Sequence, residues 1–327
     1  MIRFWVKVIN LYDNVRKSIM DAVKYDTPDA VLFSGGVDST AILYESFNIN
    51  KDVVGITVGV KGSESSDIYY SKMVATELGV KHYIYYVEKK DILKTVETSI
   101  KIMKTFNPEW ISSTTTLLLG MKCAKKLGLK SISSGEGADD LLGSFPFFRN
   151  FEGSNEELNF LLEKRLDEID LMTDMISKYI GIRSIAPYKN EIVKNTLLSI
   201  PIEERILQTD DIKTKYPLRK AYENLLPNAS IRRPQTMAFS GSGVYDVIKS
   251  VGDNISDDEF LNACNNYFPF KNKLEYGLFR IYVKFFVFEQ SNDNNCIHCQ
   301  SPMEHDKVCC KVCAAFQYKG KEMKFNG

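Results

Sequence analysis

Apolar, β-branched runs alternate with amphipathic stretches along the first half of the chain. Residues 30–33 (AVLF) are an unbroken apolar run that ends at a glycine pair, which predicts a buried strand entering a turn. Residues 37–47 have helical spacing, and residues 53–58 are β-branched and strand-like. Residues 67–78 return to helical spacing and close at Gly79, a C-cap position. Residues 82–87 predict a third strand, 91–104 and 114–127 two helices with Gly128 closing the second, and 130–134 a fourth strand. This order predicts an α/β fold with a doubly wound parallel sheet.

Beyond residue 149 the pattern changes. Residues 155–179 predict one long amphipathic helix, and prolines at 187, 201, 217, 227 and 234 punctuate shorter helical segments in which no strand is expected. The organisation expected is therefore a main body over residues 1–290, with a sheet part at 28–149 and a helical layer at 150–290. A polar linker, 291–295 (SNDNN), then leads to a cysteine-bearing ribbon at 296–318.

Composition narrows the setting. The 42 basic and 42 acidic residues cancel, so no global field attracts nucleic acid or an anionic membrane. The apolar runs are too short to span a bilayer. The N-terminus lacks a small-residue cleavage site, so a signal peptide is not expected and a cytoplasmic, reducing location is. In that setting the crowding of five of the seven cysteines after residue 295 predicts a metal site rather than disulfides.

The glycine turn after the first strand reads Ser34-Gly35-Gly36-Val37-Asp38-Ser39. Glycines let a backbone approach phosphates closely, and the following helix offers unpaired N–H groups and the positive end of its dipole. Ser34 and Ser39 add hydroxyl donors. Asp38 beside phosphates makes sense as the ligand of a bridging divalent cation. No GxxxxGK[ST] loop is present. The segment resembles the PP-loop of the ATP pyrophosphatase superfamily, signature SGGxDS, whose members cleave ATP between the α and β phosphates. The resemblance implies a five-stranded or similar parallel sheet, with adenine against the second strand near Val58 and with Leu32 also lining its site.

A second loop, SGEGADDLLGSF at 134–145, follows the fourth strand in the equivalent place. Both loops can then face one crevice at the carboxyl ends of the strands. Ser134 and Gly135 would touch the nucleotide, Asp139 would share magnesium with Asp38, and Glu136 would orient or deprotonate a nucleophile. SGEGADD is similar to the SGEG[AS]DE loop of asparagine synthetase synthase domains and β-lactam synthetase. Residues 181–190 (GIRSIAPYKN), 216–227 (YPLRKAYENLLP) and 232–243 (RRPQTMAFSGSG) resemble that family's GxExRxPFLD, KxxLRxxxxxxLP and RxK segments in the family's order.

The resemblance implies an ATP-dependent ligase. A carboxylate substrate would be adenylylated with release of pyrophosphate, and an amine or ammonia would displace AMP. The departures are specific. Position 2 is Ile2 rather than cysteine, and about 28 residues precede the first strand, so no glutaminase activity in cis is expected. A separate glutaminase or other partner protein, ammonia or an amine would supply nitrogen. The family's loop lysine falls on Gln235 or Thr236, leaving Arg232, Arg233 or another lysine to provide the cation. The family's arginine and aspartate in GxExRxPFLD fall on Ile185 and Asn190, which turns the expectation away from aspartate as acceptor.

The tail, CIHCQSPMEHDKVCCKVC, carries two CxxC turns, Cys296/Cys299 and Cys310/Cys313. Two such turns about ten residues apart complete a tetrahedral S₄ site, with zinc the first choice. His298, His305 and Cys309 are spare candidates. The pattern resembles the C-terminal ribbon of PP-loop tRNA thiolases, which makes tRNA a candidate partner and adenylylation of a tRNA base the alternative activity. A non-catalytic nucleotide-binding protein is the third reading.

Overall fold

A computed structural model describes residues 2–168, 170–207, 209, 214–234, 236 and 240–323, with side chains described from residue 11. The elements in chain order are α1 (Ile2–Tyr25), β1 (Ala30–Leu32), α2 (Val37–Ile49), β2 (Val54–Val60), α3 (Ser66–Leu78), β3 (Lys81–Val87), α4 (Lys89–Met103), α5 (Pro108–Lys126) and β4 (Ser131–Ser133). After these come α6 (Ala138–Leu141), α7 (Pro146–Arg149), α8 (Asn155–Glu168), α9 (Met172–Ile180), β5 (Arg183–Ile185), α10 (Glu191–Leu198), α11 (Ile202–Arg205), α12 (Tyr216–Ala221) and α13 (Asn228–Ile231). The last are α14 (Val244–Lys249), α15 (Asp257–Asn266), α16 (Lys273–Tyr282), β6 (Phe316–Tyr318) and β7 (Lys321–Met323).

Strands β1 to β5 make one parallel sheet in the order β3-β2-β1-β4-β5. Chain order reverses direction between β1 and β4, so the crevice beyond their carboxyl ends is the sheet's switch point, where open α/β folds take ligands. Burial follows from position. Every residue of the interior strand β2 is buried, whereas β3 at the edge is largely half-exposed. Alternate residues of β1 serve opposite faces: Ala30 and Leu32 join a cluster with α4, α5 and α16, while Val31 joins one with α1, α2 and α10.

Two findings differ from the sequence expectation. β5 lies in the half where no strand was expected, pairing Ser131↔Arg183 through Ser133↔Ile185. It is three residues long and too brief to leave a period. The single helix expected at 155–179 is two, because α8 ends at Glu168 and α9 begins at Met172. The first 25 residues carry α1, which buries Val15, Ile19, Ala22 and Val23 at helical spacing against α2, α10 and α12.

Helix boundaries have local causes. Ser65 caps α3 by accepting from Ile68 N, and Gly79 closes it in the left-handed region. Asn107 Oδ1 accepts from Glu109 N and Trp110 N at 3.0 and 2.9 Å, and Pro108 occupies the first turn of α5. Among the described residues no helix is long and apolar enough to cross a membrane.

Candidate active site

The glycine turn leaves β1 and enters α2. Gly35 has φ +82°, and a Cβ there would stand 2.7 Å from the backbone of Tyr70 and Ser71, so only glycine fits. Gly36 begins α2 with no side-chain cap, which leaves the first-turn N–H groups open to an anion. Ser34 Oγ accepts from Gly36 N at 3.2 Å, and Thr40 Oγ1 donates to Gly36 O at 2.7 Å. The hydroxyls thereby fix the turn before any ligand arrives.

The loop after β4 packs directly on this turn. A Cβ at Gly135 would lie 2.9 Å from Asp38 Cβ and 3.2 Å from Ser39 N. The two loops approach this closely because residue 135 lacks a side chain. Asp38 and Asp139 then meet at a residue the sequence analysis did not single out. Lys215 Nζ pairs with Asp38 Oδ2 and lies 2.9 Å from Asp139 Oδ1. Its side chain is 5% exposed, and its backbone is left-handed at φ +58°, an uncommon state for a lysine. The second oxygen of Asp38, Oδ1, is buried with no hydrogen-bond partner among the described residues.

Removal from water raises the Asp38 pKa; the Lys215 ammonium opposes the rise and Asp139 adds to it. For Lys215 the same desolvation works downward, but Asp139 and Asp38 outweigh it and hold the ammonium above its ordinary range. The lysine is therefore a fixed cation at the head of the glycine turn.

Two arginines brace this arrangement. Arg233 pairs with Asp67 Oδ1 at 2.6 Å, donates to Ser34 O, and covers the Tyr70 ring at 4.7 Å. Arg219 donates to Thr214 O at 2.9 Å and Arg233 O at 3.1 Å, joining the segment before α12 to the one after α13. Tyr188 donates to Asp38 O at 3.1 Å from the 181–190 segment.

A cavity of about 300 Å³ opens over both loops. Leu32, Ser34, Gly36, Asp38, Ser39, Val58, Ser134, Gly135, Glu136 and Asp139 all line it, as expected from sequence; Gly35 shapes the turn from behind. Lys215, Arg219, Arg233 and Thr236 line it too, as do Glu109, Trp110, Asp170 and Met172. Glu136 is committed elsewhere: its carboxylate accepts from Met172 N and Thr173 N, both at 3.0 Å, at the start of α9. Desolvation raises the Glu136 pKa, against those N–H bonds. Asp140 is likewise engaged, with Arg165 Nε at 2.8 Å.

Of the positions weighed for the lost loop lysine, Gln235 lies outside the described residues, and Thr236 lines the cavity without charge. Ile185 is buried in β5, and Asn190 caps α10 by accepting from Ile192 N at 2.9 Å; neither lines the cavity. Lys215 could have been found in sequence, since it stands where KxxLR begins, just before Tyr216-Pro217-Leu218-Arg219.

The four cysteines of the two CxxC turns are brought together. Their sulfurs all lie within 4.8 Å of one another, with Cys296–Cys313 at 3.5 Å and Cys299–Cys310 at 3.8 Å. Neighbouring S–H donors, Cys296 first, push the Cys310 thiol down. Cys309 turns away into an apolar cluster with Phe147, Phe148 and Phe316, and burial pushes its thiol up to about 11. His298 is buried against Glu275, Nε2 to Oε1 at 2.8 Å, and His305 is exposed beside Asp306.

Residues 10–169 match the family model described as Asparagine synthase. The chain is 27% identical over 275 residues to the root asparagine synthetase [glutamine-hydrolyzing] of Pisum sativum, covering 77% of this chain and 46% of the relative. It is 24% identical over 306 residues to an asparagine synthetase [glutamine-hydrolyzing] of Zea mays, covering 86% and 52%. The chain thus spans about half the length of the curated relatives it matches. Among solved structures, an NH3-dependent NAD synthetase from Campylobacter jejuni aligns at a TM-score of 0.36 and 12% identity, covering 85% of this chain and 94% of that one.

Proposed function

We propose that this chain, which carries an asparagine synthase domain of the PP-loop adenine nucleotide hydrolase type, is an ATP-dependent ligase that activates a carboxylate as its adenylate and passes the acyl group to an amine. The observation that carries the reading is the convergence of Asp38 and Asp139 on Lys215 Nζ, at the open N-terminus of α2 and beside a cavity large enough for substrate.

ATP lies with its adenine toward Leu32 and Val58 and its β and γ phosphates on residues 34–39. The orphaned Asp38 Oδ1, beside Asp139, fits a divalent cation. Asp38 and Asp139 would hold magnesium, which supplies charge neutralisation for the leaving pyrophosphate. Lys215 takes the part of the lost loop cation and stabilises negative charge as the α–β bond breaks. The acceptor carboxylate oxygen attacks the α-phosphorus, pyrophosphate departs, and a mixed anhydride forms. The amine then attacks the acyl carbon, AMP leaves, and one proton is released. Glu136, held by the start of α9, positions that end of the cavity rather than acting as a free base. The Glu109–Met172 wall and the absence of Ile185 and Asn190 from the lining favour an acceptor other than aspartate.

The four cysteines favour one zinc ion. Sulfurs at about 2.3 Å from a tetrahedral centre stand about 3.8 Å apart, which matches their spacing here. A [4Fe–4S] cluster sets each thiolate on a separate iron and needs a wider cage.

The test is product analysis. With magnesium-ATP and a panel of carboxylic acids and amines, the products should be AMP and pyrophosphate, and Asp38→Ala should abolish their release without unfolding the protein. ADP and orthophosphate would overturn the reading. Stimulation by tRNA in place of any carboxylate would move it to base adenylylation.

A further inference from the structure

The four-cysteine centre and the cavity share walls. The chain between α4 and α5 is bonded to the second CxxC turn at three consecutive residues. Thr105 Oγ1 donates to Val312 O at 2.7 Å, Phe106 N donates to the same oxygen at 3.1 Å, and Asn107 Nδ2 donates to Cys313 O at 3.1 Å. Asn107 is also the cap of α5, its Oδ1 holding Glu109 N and Trp110 N. Glu109 and Trp110 line the cavity. One side chain thus touches a metal-ligand residue with its nitrogen and orients a cavity wall with its oxygen.

A second tie comes from the opposite side of the same turn. The Glu168 carboxylate, at the end of α8, accepts from Val308 N at 2.9 Å and Cys309 N at 3.1 Å. Arg165, one turn earlier on α8, lines the cavity, and its guanidinium lies 5.7 Å from the Phe316 ring centre and 4.8 Å from that of Phe145. Asp170 and Met172, just beyond Glu168, complete the wall. None of these ties runs through the glycine turn at 34–39.

We infer that metal binding at Cys296, Cys299, Cys310 and Cys313 sets the position of the cavity wall built from Glu109, Trp110, Asp170 and Met172, with Asn107 and Glu168 as positioning residues. A closed S₄ shell has no open coordination position for chemistry, so its effect on the reaction is exerted through geometry. The inference rests on the metal reading of the cysteines and on the cavity as the substrate site, and its test needs no turnover.

Trp110 is a built-in reporter, because Trp5 is the other tryptophan in the chain and Trp5→Phe removes it. Zinc is spectroscopically silent, so any change in emission reports the surroundings of Trp110. Stripping the metal with a chelator should shift Trp110 emission to the red and raise its quenching by acrylamide roughly twofold, as expected of a locally opened segment. Zinc chloride should reverse both. Asn107→Asp keeps an oxygen to cap α5 but removes the donor to Cys313 O. That variant should still bind cobalt with a thiolate charge-transfer band at wild-type stoichiometry, yet show the quencher-accessible Trp110 while loaded.

Identical Trp110 emission with and without metal would overturn the inference. If the stripped protein unfolds outright, the loaded Asn107→Asp variant decides: a wild-type Trp110 spectrum there refutes the coupling. Absence of pyrophosphate release in the wild type would defeat the ligase reading and leave the Trp110 result standing by itself.

Discussion

Lys215 shows what one side chain decides at this site. Two carboxylates brought this close repel each other unless a cation joins them, and the structure supplies that cation from the protein. Lys215→Met should lower pyrophosphate release about a hundredfold or more, the usual scale for removing a preorganised charge from phosphoryl chemistry. The same variant should bind magnesium more tightly without nucleotide, because the ammonium no longer competes for Asp38 and Asp139. Unchanged pyrophosphate release, followed by a coupled phosphatase assay, would remove Lys215 from the mechanism. His82 gives a separate prediction for pH. Its Nε2 meets Thr57 Oγ1 at 2.8 Å, and burial lowers its pKa to about 4 from 6.5. A depressed histidine contributes stability above pH 6.5 that is lost as pH falls towards 4. The melting temperature of the wild type should fall through that window by a few degrees more than that of His82→Gln, and parallel curves for the two would refute the assignment. The glycine loops and the CxxC turns were legible in sequence because their chemistry dictates residue type at fixed spacing. Lys215 stood apart from both loops and was visible only as the first letter of a longer, looser pattern.

At the scale of elements, the loops work because the strands before them are neighbours. β1 and β4 pair at Ala30↔Ile132 and Val31↔Ser133, so the turns that follow them emerge side by side. Gly135 then lets one turn rest on the other. Gly135→Ala should weaken magnesium-ATP binding at least about tenfold and cost the fold about 1–3 kcal/mol, since the added methyl meets Asp38 Cβ and the Ser39 backbone. Calorimetry against a melting curve separates the two effects; wild-type affinity in a folded variant would show that the loops tolerate separation. The elements that sequence misjudged share one cause, which is dependence on distant partners. β5 exists because β4 offers it an edge, and its three residues carry no pattern of their own. The start of α9 at Met172 is capped by Glu136, whose carboxylate comes from 36 residues earlier in the chain. Periodicity reads neighbours in sequence, and neither boundary is set by them.

At the scale of the molecule, the question is whether the cysteine segment unfolds separately from the sheet. Composition presents it as an appendage: a polar linker, then a stretch with few large apolar residues. Packing presents something else. Cys296, Cys299, Cys310 and Cys313 belong to the same apolar cluster as Ile92, Phe106, Leu118 and Leu278, and His298 is buried against Glu275 of α16 under the Phe268 ring. A structural zinc on four thiolates contributes on the order of 10 kcal/mol to folding, which is comparable to the whole stability of an ordinary domain. With that site built into the main core, metal loss should lower the principal thermal transition rather than a minor one. The expected result by calorimetry is one transition in the zinc-loaded chain, shifted well down after chelation and restored by zinc. Two transitions, with the larger one indifferent to metal, would mean that the segment is merely tethered. Elemental analysis should find about one zinc per chain. Cys309→Ala should keep it, because that thiol faces Phe147 and Phe316, whereas Cys310→Ala should lose it and show the lowered transition without any chelator.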